Sequence, residues 1–258
     1  MGTFLFDAPV FGPVNSRRLG VSLGINLLPK DGKVCSFNCL YCECGLNEER
    51  RSVSKELPTR EYVKEQLHER LKMMSAAGDE LNVITFAGNG EPTLHPDFSG
   101  IIDDTIALRD EFFPDVKISV LANSVHLDRQ GVVDGLSKVD NNILKLDSAI
   151  ERTFYIISNA SSAVKFDQIV PNMCKFDTDV IVQTLFCKGE YKGEAFDNTT
   201  DEEIDALIAA YKRIKPKTIM IYSLSRDTPV NSIYKVEKEK LELIAIKLRE
   251  KGFTIEVA

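Results

Sequence analysis

The chain alternates short, almost wholly apolar runs with longer segments whose apolar residues recur every three or four positions. The apolar runs are VSLGINLLP (21–29), LNVITFAG (81–88), VKISVLA (116–122), NILKLDS (142–148), TDVIVQTLF (178–186) and KTIMIYSLS (217–225). FTIEVA (253–258) is a candidate terminal strand. Near-continuous apolar character suits strands whose sheet is covered on both faces. TREYVKEQLHERLKMMSAAG predicts a helix that opens on Thr59 as N-cap and closes at Gly78, with Val63, Leu67, Leu71 and Met74 on one face. TTDEEIDALIAAYKRIK begins with a capping box of Thr200 and Glu203, and VEKEKLELIAIKLREKG ends at Gly252. Helices are also predicted over 97–112 and 126–138, and short ones within 149–177.

Six successive strand-then-helix units predict an α/β fold of parallel strands joined by right-handed crossovers. Six units suit an open or partial barrel better than a closed eightfold one. No linker, low-complexity run or repeat divides residues 1–258, so one domain is expected. Its functional site should lie at the C-terminal ends of the strands, in the loops that follow.

Composition narrows this picture. Apolar residues make up 43% and charged residues 28%, the balance of a globular chain with an ample core. The N-terminal stretch lacks a basic start followed by a long apolar run, and no window approaches eighteen consecutive apolar residues. A cytoplasmic location without a membrane partner is therefore expected, and there thiols stay reduced. The net charge of −7 argues against a broad nucleic-acid footprint.

CSFNCLYCECG, directly after the first strand run, places Cys35, Cys39, Cys42 and Cys44 in one loop. The first three are spaced C-x3-C-x2-C. Thiolates in such a compact set suit an iron–sulfur cluster, and three ligands leave one iron open. A structural zinc site would want a closed set of four, usually as two separated pairs. A zinc knuckle and reduced core thiols remain the plain alternatives. A second signal, FAGNGEPTLHP (86–96), ends the second strand run. Glycines there permit close backbone approach to a ligand, and Glu91 adds a carboxylate; a tight polar turn is the plain reading.

Other strand ends carry polar groups: Asn123 and Ser124, Lys145, Asp147 and Ser148, Gln183, then Tyr222 and Ser223. Alternation puts Ile143, Lys145 and Asp147 on one strand face. A Lys145–Asp147 pair inside the barrel would satisfy both charges. Arg17, Arg18 and Arg226 are candidate substrate anchors through their planar guanidinium groups, or simply members of ion pairs. His95 and His126 fall in loops, where a solvated or structural role is expected. No Ser–His–Asp pattern or phosphate loop competes.

C-x3-C-x2-C with Tyr41 before the last cysteine resembles the radical S-adenosylmethionine (SAM) superfamily. The resemblance implies a (β/α)6 partial TIM-like barrel and a [4Fe–4S] cluster held by Cys35, Cys39 and Cys42. It implies that SAM chelates the fourth iron and is cleaved by one electron to methionine and a 5′-deoxyadenosyl radical, which abstracts hydrogen from a substrate. Gly88-Asn89-Gly90-Glu91-Pro92 is similar to that superfamily's Gly-Gly-Glu-Pro motif, with one glycine position shifted or replaced. This assigns Gly88, Asn89, Gly90 and Glu91 to the SAM ammonium group. It also implies SAM contacts from Tyr41, Asn123, Asp147, Gln183 and Tyr222, substrate contacts from Lys145 and Arg226, and an electron donor such as flavodoxin or ferredoxin. Cys44 has no assigned role.

GPVNSRRLGVSLGINLLP and YSLSRDTP (222–229) further resemble the iron–sulfur oxidoreductase subgroup, which includes relatives of 4-demethylwyosine synthase. That match covers roughly residues 10–230, leaving 231–258 as a C-terminal helix and candidate strand. The chain departs from the wyosine enzymes in being short and acidic, with only Cys174 and Cys187 outside the cluster loop. The substrate classes left open are a small molecule, a peptide segment (as for a glycyl-radical activase) and RNA. A non-catalytic metal-binding module is the remaining alternative.

Overall fold

The computed structural model describes residues 4–16, 19–176 and 179–258. Arg17 and Arg18 therefore lie outside the described residues. Strands β1 (Val10–Ser16) and β2 (Gly20–Ile25) lead into the cysteine loop, a short helix α1 (Asn47–Arg50) and the long α2 (Arg60–Ala77). Then come β3 (Val83–Phe86), α3 (Phe98–Phe112), β4 (Lys117–Ala122), α4 (Gln130–Leu136) and β5 (Asn141–Lys145). Next are α5 (Glu151–Ser158), α6 (Phe166–Met173), β6 (Val180–Tyr191) and β7 (Glu194–Asp197). The chain ends with α7 (Asp201–Ile214), β8 (Thr218–Ser223), β9 (Ile233–Lys235), α8 (Lys238–Glu250) and β10 (Ile255–Val257).

The sheet order is β1-β2-β3-β4-β5-β6-β8-β10. Strands β2 through β10 along that path pair in parallel, while β1 runs antiparallel to β2 at one edge. This is the expected partial barrel, and the terminal run joins it as β10. Three strands escape the apolar pattern: β1, and the short β7 and β9 that pair antiparallel with the last residues of β6. β1 is a half-exposed edge, and β7 and β9 are three to four residues long with few buried positions, so no apolar run marks them.

The predicted N-caps form, but the reciprocal half of the Thr200–Glu203 capping box does not, because the Glu203 carboxylate is turned inward and accepts from Ser148 Oγ at 2.7 Å. Thr59 accepts a hydrogen bond from the Tyr62 amide, Thr200 from that of Glu203, and Gly78 closes α2 at φ 71°. Helices cover the outer sheet face, so alternate residues such as Ile84, Phe86, Ile118, Val120 and Leu144 are buried against them. The opposite face forms the barrel interior. Its floor is a small apolar cluster of Ile143, Ile181 and Met220 with Leu121 packed on it. One residue pair further along each strand, the interior turns polar at Asn123, Lys145, Gln183 and Tyr222.

Candidate cluster and cofactor site

The cysteine loop is fixed by three neighbours. The Asn38 amide donates to the Ser158 carbonyl (2.8 Å) and the Leu40 amide to that of Ile157 (3.1 Å), so the loop satisfies carbonyls left open at the end of α5. Leu40 is fully buried in a second apolar cluster with Ile156, Ile157 and Leu185. Phe37 packs edge-on against Phe154, with centroids 5.6 Å apart. The glycine loop closes the other side. Val34 donates to the Asn89 carbonyl at 2.9 Å, and Glu91 donates back to the Val34 carbonyl at 3.1 Å. The two sequence signals are thus one hydrogen-bonded unit.

Between them lies a cavity of about 280 Å³, close to the lower end of the usual range for small-molecule sites. Cys35, Cys39 and Cys42 line it from one side; Gly88, Gly90, Glu91 and Asn123 line it from the ends of β3 and β4. Tyr41, Lys145, Gln183, Tyr222 and Arg226 complete the predicted residues brought to its wall. Asn89 and Asp147 are not brought there. The Asn89 side chain is occupied by the backbone of Phe6 and Pro29. Asp147 stands behind the wall, accepting from the Tyr41 hydroxyl at 2.5 Å and pairing with Lys145 Nζ at 3.2 Å. Lys145 thus forms the expected pair with Asp147 and also lines the cavity. Phe37 and Glu43 line the cavity without having been marked by any sequence signal.

Lys145 Nζ donates to the Tyr222 hydroxyl (3.0 Å), and that hydroxyl donates to Gln183 Oε1 (3.4 Å). The ammonium also lies 4.8 Å from the Tyr41 ring centroid and 5.3 Å from that of Tyr222. Burial would push Lys145 down, but the Asp147 carboxylate together with Tyr222 and Cys39 outweighs it, so the side chain stays charged. Asn123 braces the cluster loop rather than reaching into open space, its amide donating to Ser36 Oγ at 2.8 Å. Arg226 pairs with Glu43 across the cavity mouth, and both side chains are half exposed. His95 is structural: Nδ1 accepts from the Asp97 amide, which leaves Nε2–H to donate to the Pro58 carbonyl at 2.8 Å. His126 lines a separate surface pocket beside α6.

Glu91 is 2% exposed. Its carboxylate accepts from Thr93 N and Oγ1 and from the Asn123 amide, at 3.1, 2.5 and 2.8 Å. Burial still dominates and lifts its pKa from 4.5 to about 7. A buried acid facing a cavity, with no cation paired to it among the described residues, is suited to a cationic ligand group. The folded-state pKa is raised, so this group's contribution is fully present below pH 4.5 and is lost as pH rises through about 7. The apoprotein should lose roughly 3 kcal/mol of stability across that window, and Glu91→Gln should flatten the loss. Urea unfolding of both proteins at pH 5 and pH 8 measures it; equal pH dependence in the two proteins would contradict this account.

The thiols match a cluster better than a lone ion. Among the described residues no three His, Cys, Asp or Glu side chains gather as a single-ion ligand set. The three sulfurs instead face one cavity. Burial raises the Cys35 thiol, and burial with the Cys42 charge raises Cys39 to about 12. Cys42 is held down to about 6, chiefly by a hydrogen bond from the Cys44 thiol. Cys44 itself is buried, has the Gly88 carbonyl at 3.3 Å as a second acceptor, and does not line the cavity. Lys33 is 3% exposed and donates from Nζ to the Gly45 carbonyl at 2.9 Å. Burial would lower it, but the neighbouring charges of Cys42, Cys35 and Cys39 outweigh that and keep it protonated. The sequence offered no clue to Lys33, because a lysine two residues before a loop reads as solvated surface.

The sequence pattern of the Radical SAM superfamily matches residues 30–148, the span that carries the cysteine loop, the glycine loop and the ends of β4 and β5. That span is similar to the radical SAM superfamily. Enzymes of that superfamily use a [4Fe–4S] cluster and SAM. A UPF0026 protein of Methanocaldococcus jannaschii is 29% identical over 91% of this chain and 68% of its own length. The GTPase Obg of Brachyspira hyodysenteriae is 32% identical over 96% of this chain, which spans only 34% of that protein. Among solved structures, a radical SAM methyltransferase from Sphaerobacter thermophilus superposes with a TM-score of 0.67 at 14% identity, over 92% of this chain and 65% of that one. At that identity the likeness is one of fold, and it agrees with the partial barrel. Among the described residues no helix is long and apolar enough to cross a membrane.

Proposed function

We propose that this chain cleaves SAM reductively and uses the product radical to abstract hydrogen from a substrate admitted at the barrel mouth. One observation carries the reading: three loop cysteines line the same cavity as the buried Glu91, which has no ion-pair partner among the described residues. In the proposal Cys35, Cys39 and Cys42 hold the cluster. When bound, that cluster supplies the electron that splits SAM into methionine and a 5′-deoxyadenosyl radical. Glu91 binds the SAM ammonium group, with the backbone at Gly88 and Gly90 beside it. The Lys145–Tyr222–Gln183 chain presents fixed polar groups to the ribose or carboxylate. Tyr41, held by Asp147, orients one wall. The floor residues Leu121 and Ile143 exclude water from below.

The described cavity-lining cations are both paired, Lys145 with Asp147 and Arg226 with Glu43. A phosphate backbone would need free cations. This supports a small molecule or a peptide segment over RNA, and with it a member of the oxidoreductase subgroup that does not act on tRNA. The electron donor in this reading is a small carrier such as flavodoxin or ferredoxin. The test is anaerobic reconstitution with iron and sulfide, followed by SAM and dithionite. Iron–sulfur absorbance with formation of 5′-deoxyadenosine and methionine is the expected result. A protein that gains no such absorbance and yields neither product would leave a binding module as the better description.

A further inference from the structure

We infer that Lys33 is the built-in counter-charge of the cluster and sets how readily it accepts an electron. The inference rests on the cluster reading above. Lys33 lies two residues before Cys35 and is 3% exposed, an unusual degree of burial for a lysine. Among the described residues no carboxylate lies within ion-pair distance of its ammonium. The one hydrogen bond from Nζ to oxygen goes to the carbonyl of Gly45, 2.9 Å away. Gly45 closes the cluster loop, its amide donating to the Cys42 carbonyl at 2.9 Å. The Lys33 backbone is held from the other side, its amide bonded to the Arg50 carbonyl.

An isolated buried ammonium is costly unless something negative compensates it. The described groups that could do so are the thiolates of the loop it anchors. The relation is reciprocal: three thiolates around a cluster accumulate negative charge, and each electron added makes that charge larger. A fixed cation in a low-dielectric setting stabilises the reduced form more than the oxidised one. Lys33 also lines a second, outward-facing cavity that Cys35 shares. The charge therefore stands in the wall between the cluster side and the surface.

The test separates charge from packing and from the Gly45 bond. Wild type, Lys33→Gln, Lys33→Met and Lys33→Arg are reconstituted anaerobically, and cluster loading and midpoint potential are measured by potentiometric titration followed by electron paramagnetic resonance. Lys33→Gln keeps a donor for the Gly45 carbonyl without the charge, and Lys33→Met keeps the length. Both should make the cluster harder to reduce by at least tenfold in the reduction equilibrium, about 59 mV for one electron. Lys33→Arg should stay near wild type. If the neutral variants lose the cluster while Lys33→Arg holds it, the charge is needed for assembly and the inference stands. It is overturned if Lys33→Gln and Lys33→Met keep the wild-type potential, if Lys33→Gln behaves as wild type while Lys33→Met does not, or if all three variants fail alike. A wild-type protein that takes up no cluster would instead defeat the underlying reading before any variant is compared.

Discussion

Replacing Cys35, Cys39 or Cys42 by alanine is expected to abolish both the iron–sulfur absorbance and SAM cleavage, whereas Cys44→Ala should retain both. The four thiols share one loop, but only the first three line the cavity. Cys44 is buried with the Gly88 carbonyl and the Cys42 sulfur as acceptors for its one proton. Its loss removes a small buried side chain and a weak donor, which should cost about 1–2 kcal/mol of stability and no ligand. It also removes the main influence holding Cys42 low, so loading of Cys44→Ala should need a higher pH than wild type. Iron and sulfide content, the visible spectrum and 5′-deoxyadenosine yield settle the matter. Full loading and cleavage in any of the first three variants would undo the ligand assignment.

Gly90→Ala is expected to be nearly as damaging although it removes no chemical group. Gly90 has φ of 139°, where side chains are strained, and a Cβ there would fall 1.9 Å from the Val34 carbonyl oxygen. That carbonyl accepts the Glu91 amide and leads straight into Cys35. To admit a methyl group, the glycine loop and the cluster loop must part. The expected loss is roughly 3–5 kcal/mol of stability, with SAM binding abolished. Gly131→Ala is the control. Its Cβ would meet nothing within 4 Å, and it sits in α4, so a neutral or slightly stabilising effect is expected. Denaturant midpoints and SAM binding by calorimetry compare the two, and equal stability of both variants would refute the close-approach account.

Much of the architecture was legible because the parallel strands are covered on both faces and so carry unbroken apolar runs. The same reasoning passed over β1, β7 and β9, whose exposed or very short faces carry no such run. That Cys35, Cys39 and Cys42 would share one cavity was suggested by their compact spacing in a single loop. Glu91 was legible as a carboxylate beside glycines, but its burial without an ion-pair partner among the described residues was not. Asn89 and Asp147 illustrate the limit from the other side. Their positions in the chain put them at strand ends, yet one is turned back onto Phe6 and Pro29 and the other stands behind Tyr41 and Lys145.

The sequence by itself determined the succession of strands and helices, the caps that bound the helices, and the thiols available for a cluster. These depend on residue type and near-neighbour spacing. The tertiary structure alone decided which of those residues share a cavity. It joined Val34 to the glycine loop, closed Lys145 and Asp147 into a neutral pair, and set Arg226 against Glu43 across the mouth. It also buried Lys33 beneath the cysteines with no carboxylate partner among the described residues. Pairing and burial arise between segments far apart in the chain, and each fixes a charge's energy through its surroundings, which no local pattern encodes.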